Sequence, residues 1–208
     1  MITPSRLGIY LARARPWFEA RRDPAEFMHR INQVDRIVDS EFLFNRNEAK
    51  WVREALNLAA YSQFISPSSV WLNGETWPDA FVREDGKDIP LEITMILDKG
   101  REIGREYRMD RPFEVNCKVD DWVAVTDAIS RLLAARIQSK LQKRYSISSR
   151  LLIYLNANEW GIRQKQFESA VTDTLRREVG SFSSVDVLWK DKLLRSSGEV
   201  RWLPNLFH

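Results

Sequence analysis

The sequence predicts an α/β protein of the α+β kind: a mixed sheet flanked by helices. An αβββαβ core over residues 46–208 follows a helical extension over residues 1–45, the two together forming one compact body. Three observations carry this. Apolar residues recur at helical spacing through the first 64 residues. Period-two alternation then takes over at 89–97, behind an Asp85-Gly86 turn. Finally, an unbroken apolar run at 150–156 precedes an amphipathic helix and another strand, the pattern of a crossover within one sheet.

Residues 5–22 read as helix with a break at Pro16, and Arg6, Arg13, Arg15, Arg21 and Arg22 give it a basic surface. Asp23-Pro24 resets the chain, and 24–39 is a second helix whose apolar positions are Phe27, Ile31, Val34, Ile37 and Val38. A third helix covers about 47–64, capped by Asn45 or Asn47, with Val52, Ala55, Leu56, Ala59 and Ala60 as its stripe. Glu48 falls on that stripe and Glu54 to its side, near Trp51 and Leu58. An acid at Glu48 either faces a neighbouring site or complements the helix dipole. Val70-Trp71-Leu72 is a short strand before an Asn73-Gly74 turn.

The hairpin at 79–97 is the centre of the chain. Asp79 to Arg83 forms its first strand and Ile89 to Leu97 its second, joined where Asp-Gly supplies positive φ. Odd positions from Ile89 to Leu97 are all apolar, so they share one face, with Glu92, Thr94 and Asp98 on the other. Residues 101–118 are a charged surface segment. Val119 to Tyr145 is a long helix with the stripe Ile129, Leu132, Leu133, Ile137 and Leu141. Arg136 and Lys140 fall on that stripe. Cations there either snorkel past its edge or reach a buried anion. Arg150 to Asn156 is a strand buried on both faces. A helix at 163–179 and strands at 185–189 and 200–203 complete the chain.

Composition sets the outer bounds. A chain of 208 residues with 44% hydrophobic content supports a real core. No stretch of about twenty apolar residues and no signal-peptide core is present, so a soluble protein without a membrane partner is expected. The single cysteine, Cys117, excludes an internal disulfide and fits the reducing cytoplasm. His29, His208 and Cys117 are scattered, which argues against a zinc cluster. A net charge of +3 permits nucleic-acid binding without arguing for it. The eight tryptophans read as an aromatic core, with base-stacking platforms as the alternative.

Asp79 and Glu92 are the candidate chemistry. If the two strands pair, both carboxylates lie on one face and can share a divalent cation. The bland alternative is a Pro-Asp turn beside an exposed strand face that carries Glu and Thr.

The helix–strand–strand–strand–helix–strand order, with Pro78-Asp79 on one strand and Glu92-Ile93-Thr94 on the next, resembles the restriction-endonuclease-like PD-(D/E)XK nuclease superfamily. The run from Leu91-Glu92 to Tyr107-Arg108 also resembles a bacterial family of uncharacterised proteins described as endonucleases. The resemblance covers about 47–156. It implies Mg²⁺ (or Mn²⁺) held by Asp79, Glu92 and the main-chain carbonyl of Ile93, with Glu48 as accessory acid. The substrate would be DNA, or RNA. Thr94 stands where the family has its lysine and cannot supply that charge. A lysine from the following helix can substitute, and Lys140 is the candidate, with Arg136 and Lys99 behind it. Lys99, Arg101, Arg105, Arg108 and Arg136 are the expected nucleic-acid contacts. A homodimer is left open. The alternative is a catalytically inactive nuclease fold that binds nucleic acid or a protein.

Overall fold

The computed structural model describes residues 4–97, 119–143, 148–156 and 164–202. Among these are six α-helices and a seven-stranded mixed sheet whose strands follow chain order. The chain divides into two compact units, with the boundary inside one strand, β3 (Lys87–Leu97): the first unit runs to Leu91 and the second starts at Glu92.

The first unit holds α1 (Pro4–Glu19), α2 (Pro24–Asp35), α3 (Ser40–Asn45), α4 (Lys50–Ile65), β1 (Ser69–Leu72), β2 (Ala80–Glu84) and the start of β3. Asp23 caps α2 by accepting from the Ala25 and Glu26 amides at 2.9 and 3.1 Å. Asp39 caps α3 by accepting from the Phe42 amide at 2.7 Å. The helix expected from residue 47 begins at Lys50 instead. Asn47–Ala49 forms a 3-10 turn, and no side chain caps α4. α4 buries Trp51, Val52, Ala55 and Leu58.

The three strands pair antiparallel, and Asp85 (φ 48°) with Gly86 (φ 75°) makes the tight turn that Asp-Gly predicts. Alternation puts Val70, Leu72, Ala80, Val82 and Leu91 on the inner face, all at most 2% exposed. Phe18, Phe27 and Trp51 join this core edge-on or tilted. Helices α1, α2 and α3 share one unit with α4, β1 and β2, and Arg22 bridges Val70 through two 3.0 Å backbone hydrogen bonds. The physical reason is that α2 and the hairpin each present an apolar face that α4 covers.

The second unit holds the rest of β3, α5 (Val119–Leu141), β4 (Arg150–Asn156), α6 (Gln164–Glu178), β5 (Ser184–Trp189), β6 (Lys192–Arg195) and β7 (Val200–Trp202). β4 and β5 are parallel across α6, the expected crossover. β5, β6 and β7 continue as antiparallel hairpins. Leu151, Leu152 and Ile153 are fully buried, so β4 is covered on both faces as its composition predicts. Full burial of each such side chain is worth roughly 1.5–3 kcal/mol. The core joins Ile96 of β3 to Ile129, Leu133 and Ile137 of α5 and to Phe167, Val171 and Leu175 of α6. β3 is also buried on both faces at this point: Glu92, Ile93 and Ile96 are 5, 6 and 4% exposed. The alternative of an exposed Glu-Thr strand face is therefore overturned for Glu92. Among the described residues, no helix is long and apolar enough to cross a membrane.

Candidate functional site

In the second unit, Glu92 lies on the same β3 face as Ile96, two pleats along. That face is packed by α5, whose stripe places Lys140 one turn past Ile137. Lys140 Nζ donates to Glu92 Oε1 at 2.5 Å, and the two side chains are only 13% and 6% exposed. Of the two readings open for Lys140, the structure selects the buried anion over snorkelling. An ionised pair of this kind is held by mutual compensation, because either charge alone would be desolvated without a partner. Arg136 lies on α5 one turn earlier and is exposed. Thr94 is half-buried. Lys99, Arg101, Arg105 and Arg108 lie outside the described residues.

In the first unit, Asp79 precedes β2, and its carbonyl accepts from the Asn73 amide at 3.0 Å. Its side chain is 10% exposed. Lys50 Nζ, at the first position of α4, donates to Asp79 Oδ1 at 3.4 Å and pairs with Glu54 Oε1 at 2.8 Å. Glu54 also hydrogen-bonds Asp79, so two carboxyl groups face each other beside one ammonium. Burial, together with the charge of Asp79, pushes the Glu54 carboxyl up to about 7, against the pull of Lys50. Burial works against the charge of Lys50, but bonding to Glu54 and the charges of Glu54 and Asp79 outweigh it and raise its pKa.

Glu48 sits exposed on the 3-10 turn before α4, while Glu54 is the acid beside Asp79. The signal for Glu54 was available. It stands three residues after Trp51 and four before Leu58, both buried, and four after Lys50. The 3-10 turn at Asn47–Ala49 leaves Glu48 outside α4.

Could these residues hold a divalent cation? Among the described residues, no three His, Cys, Asp or Glu side chains group as a metal centre. The donor chemistry nevertheless fits a hard cation. Glu54 and Asp79 are oxygen donors whose mutual repulsion a cation would relieve, and Lys50 already holds positive charge against both. The ladder of β2 and β3 runs from Glu84–Lys87 to Ala80–Leu91, within the first unit. Comparison of the chain with protein-family models, with curated proteins and with solved structures finds no match.

Proposed function

We propose that this protein is a metal-dependent nuclease of the restriction-endonuclease-like class that hydrolyses phosphodiester bonds in DNA or RNA. The observation that carries the reading is the bond from Lys140 to Glu92. The motif lacks a lysine at Thr94, and the helix after the hairpin returns one to the glutamate. Asp79, Glu92 and the main-chain carbonyl of Ile93 would hold Mg²⁺ or Mn²⁺, with Glu54 in the accessory place first expected of Glu48. When bound, the cation would polarise a nonbridging phosphate oxygen and offset charge on the leaving oxygen. Lys140 would orient the attacking water and offset charge developing on the phosphate. Glu92 would hold Lys140 in place.

The test is incubation of the purified protein with DNA and RNA substrates and Mg²⁺ or Mn²⁺. Asp79→Ala and Glu92→Ala should each lower cutting on the order of 10³-fold, the several kcal/mol expected of metal assistance. Cutting that survives both changes sinks the proposal.

One observation favours a second reading. Asp79 and Glu92 each already face a lysine, and no three-acid group is present among the described residues. An inactive nuclease fold that binds nucleic acid would keep such pairs. It predicts binding that Mg²⁺ does not stimulate and that falls steeply with salt.

A further inference from the structure

In the first unit, α1 carries two stripes side by side. Leu7, Leu11 and Phe18 are 3, 1 and 0% exposed and pack into the core. Arg6, Tyr10, Arg13 and Trp17 stand at helical spacing beside them, because α1 runs unbroken through Pro16. Arg6 and Arg13 are exposed, Tyr10 is 36% exposed, and Trp17 is half-buried. Ile9, 56% exposed, lies one turn before Arg13. Basic and aromatic residues therefore alternate along about 16 Å of helix axis.

Two further arginines close the far end of the stripe. The Arg22 and Arg30 guanidinium carbons stand 4.5 and 5.6 Å from the centroid of the Trp17 ring. Arg22 also donates to the Trp17 carbonyl at 3.1 Å. Trp17 thus holds two cations in one place, while Phe18 and Phe27 pack against its ring from the core. Among the described residues, Arg6, Arg13, Arg22 and Arg30 have no carboxylate partner. The neighbouring acids are occupied or unpaired with them. Asp23 accepts from the Ala25 and Glu26 amides at 2.9 and 3.1 Å, and Glu19 is held by Arg15 at 2.7 Å. Glu26 on α2 and Glu48 on the 3-10 turn beside α1 form no ion pair with any of the four. Open guanidinium donors spread along one side of a helix fit a polyanion better than a single small anion.

We propose that this side of the first unit binds single-stranded nucleic acid. Phosphates spaced along a strand would meet Arg6, Arg13 and the Arg22–Arg30 pair in turn. Ile9 and Tyr10, between Arg6 and Arg13, offer apolar surface that an unpaired base covers and a base-paired, stacked duplex does not. A lipid surface fits less well, because the apolar stripe of Leu7, Leu11 and Phe18 is already buried in the protein. The proposal rests on the nucleic-acid reading above but not on cleavage, and its residues do not include Asp79 or Glu92.

Fluorescence anisotropy in EDTA tests it, with the full chain and short fluorescein-labelled oligonucleotides: single-stranded DNA, single-stranded RNA and the DNA duplex. A single strand should bind more tightly than the duplex. Its affinity should fall with salt at a log–log slope of about 3, four contacts at roughly 0.7 each. Tyr10→Ala should weaken single-strand binding about five- to a hundredfold, and Tyr10→Phe should keep most of it. Arg13→Gln should lower the salt slope by about 0.7. Both positions are exposed, so circular dichroism should stay unchanged. Duplex binding as tight as single-strand binding overturns the proposal. So does equally tight binding of polyglutamate, or association with phosphatidylserine vesicles in place of nucleic acid. Unchanged affinity in folded Tyr10→Ala and Arg13→Gln also overturns it, and if those variants still cut nucleic acid, the nuclease reading survives its failure. Conversely, binding that persists in a protein unable to cut leaves this surface standing while the nuclease reading falls.

Discussion

Lys140 and Lys50 each meet a carboxylate site, and they do so under opposite conditions. Lys140 reaches Glu92 from inside a helix face, with both side chains nearly removed from solvent. Lys50 reaches Asp79 and Glu54 from the first turn of its helix, with its own side chain 62% exposed. The buried pair cannot lose a partner without stranding a charge, so it fixes geometry. The exposed lysine is screened and free to give way, and it leaves two acids competing for one positive charge. Under the nuclease reading, that contrast suits Lys140 to positioning chemistry and Lys50 to being displaced by a cation.

The largest expected effect tests the buried side. Lys140→Met leaves Glu92 buried and unpaired, and it should cost about 3–5 kcal/mol of stability, read as a large fall in melting temperature. Under the nuclease reading it also removes cutting, whereas Lys140→Arg should restore part of both. A melting temperature unchanged by Lys140→Met would show that the pair is not formed in solution.

The next effect sharpens the crowded side. Folded Glu54 holds its proton to about pH 7, and the unfolded chain releases it near 4.5. Between those values the folded state binds more protons, so this contribution to stability is full below pH 4.5 and lost as pH rises through 7. Glu54→Gln mimics the protonated form. In EDTA it should match the parent protein near pH 4 and be more stable at pH 8, by roughly 3 kcal/mol at most. Equal melting temperatures at pH 8 would show that Asp79 and Glu54 do not crowd each other.

The smallest effect is expected of Lys50→Met. An exposed pair contributes about 1 kcal/mol or less, so its melting temperature should barely move in 0.15 M salt. A loss as large as that of Lys140→Met would erase the contrast between the two sites.

Much of the fold was legible because its signals are local. Asp85-Gly86 announced the hairpin, since two successive positive φ angles need such residues. The apolar run at 150–156 announced β4, and of the two cations put on the α5 stripe Lys140 reaches a buried anion while Arg136 is exposed. β6 gave no comparable signal. Its turn, Lys190-Asp191, contains no glycine, and Lys190 adopts φ 54° all the same because the β5–β6 pairing holds it there. The sequence places Glu54 beside the α4 stripe, near Trp51 and Leu58, but does not tie it to Asp79. Where α4 begins depends on the 3-10 turn packed before it, and a shift of three residues changes which acid seems to lead the helix.

The sequence by itself determined the helix stripes, the hairpin turn and the crossover strand, and it put Lys140 on the α5 stripe without fixing where its ammonium goes. These follow from side-chain period and backbone preference, which act over a few residues. Tertiary structure alone decided that Lys140 meets Glu92, that Glu54 rather than Glu48 faces Asp79, and that α1, α2 and α3 share a unit with α4, β1 and β2. Each depends on contacts between residues tens of positions apart, where burial and charge are set by whichever elements pack together.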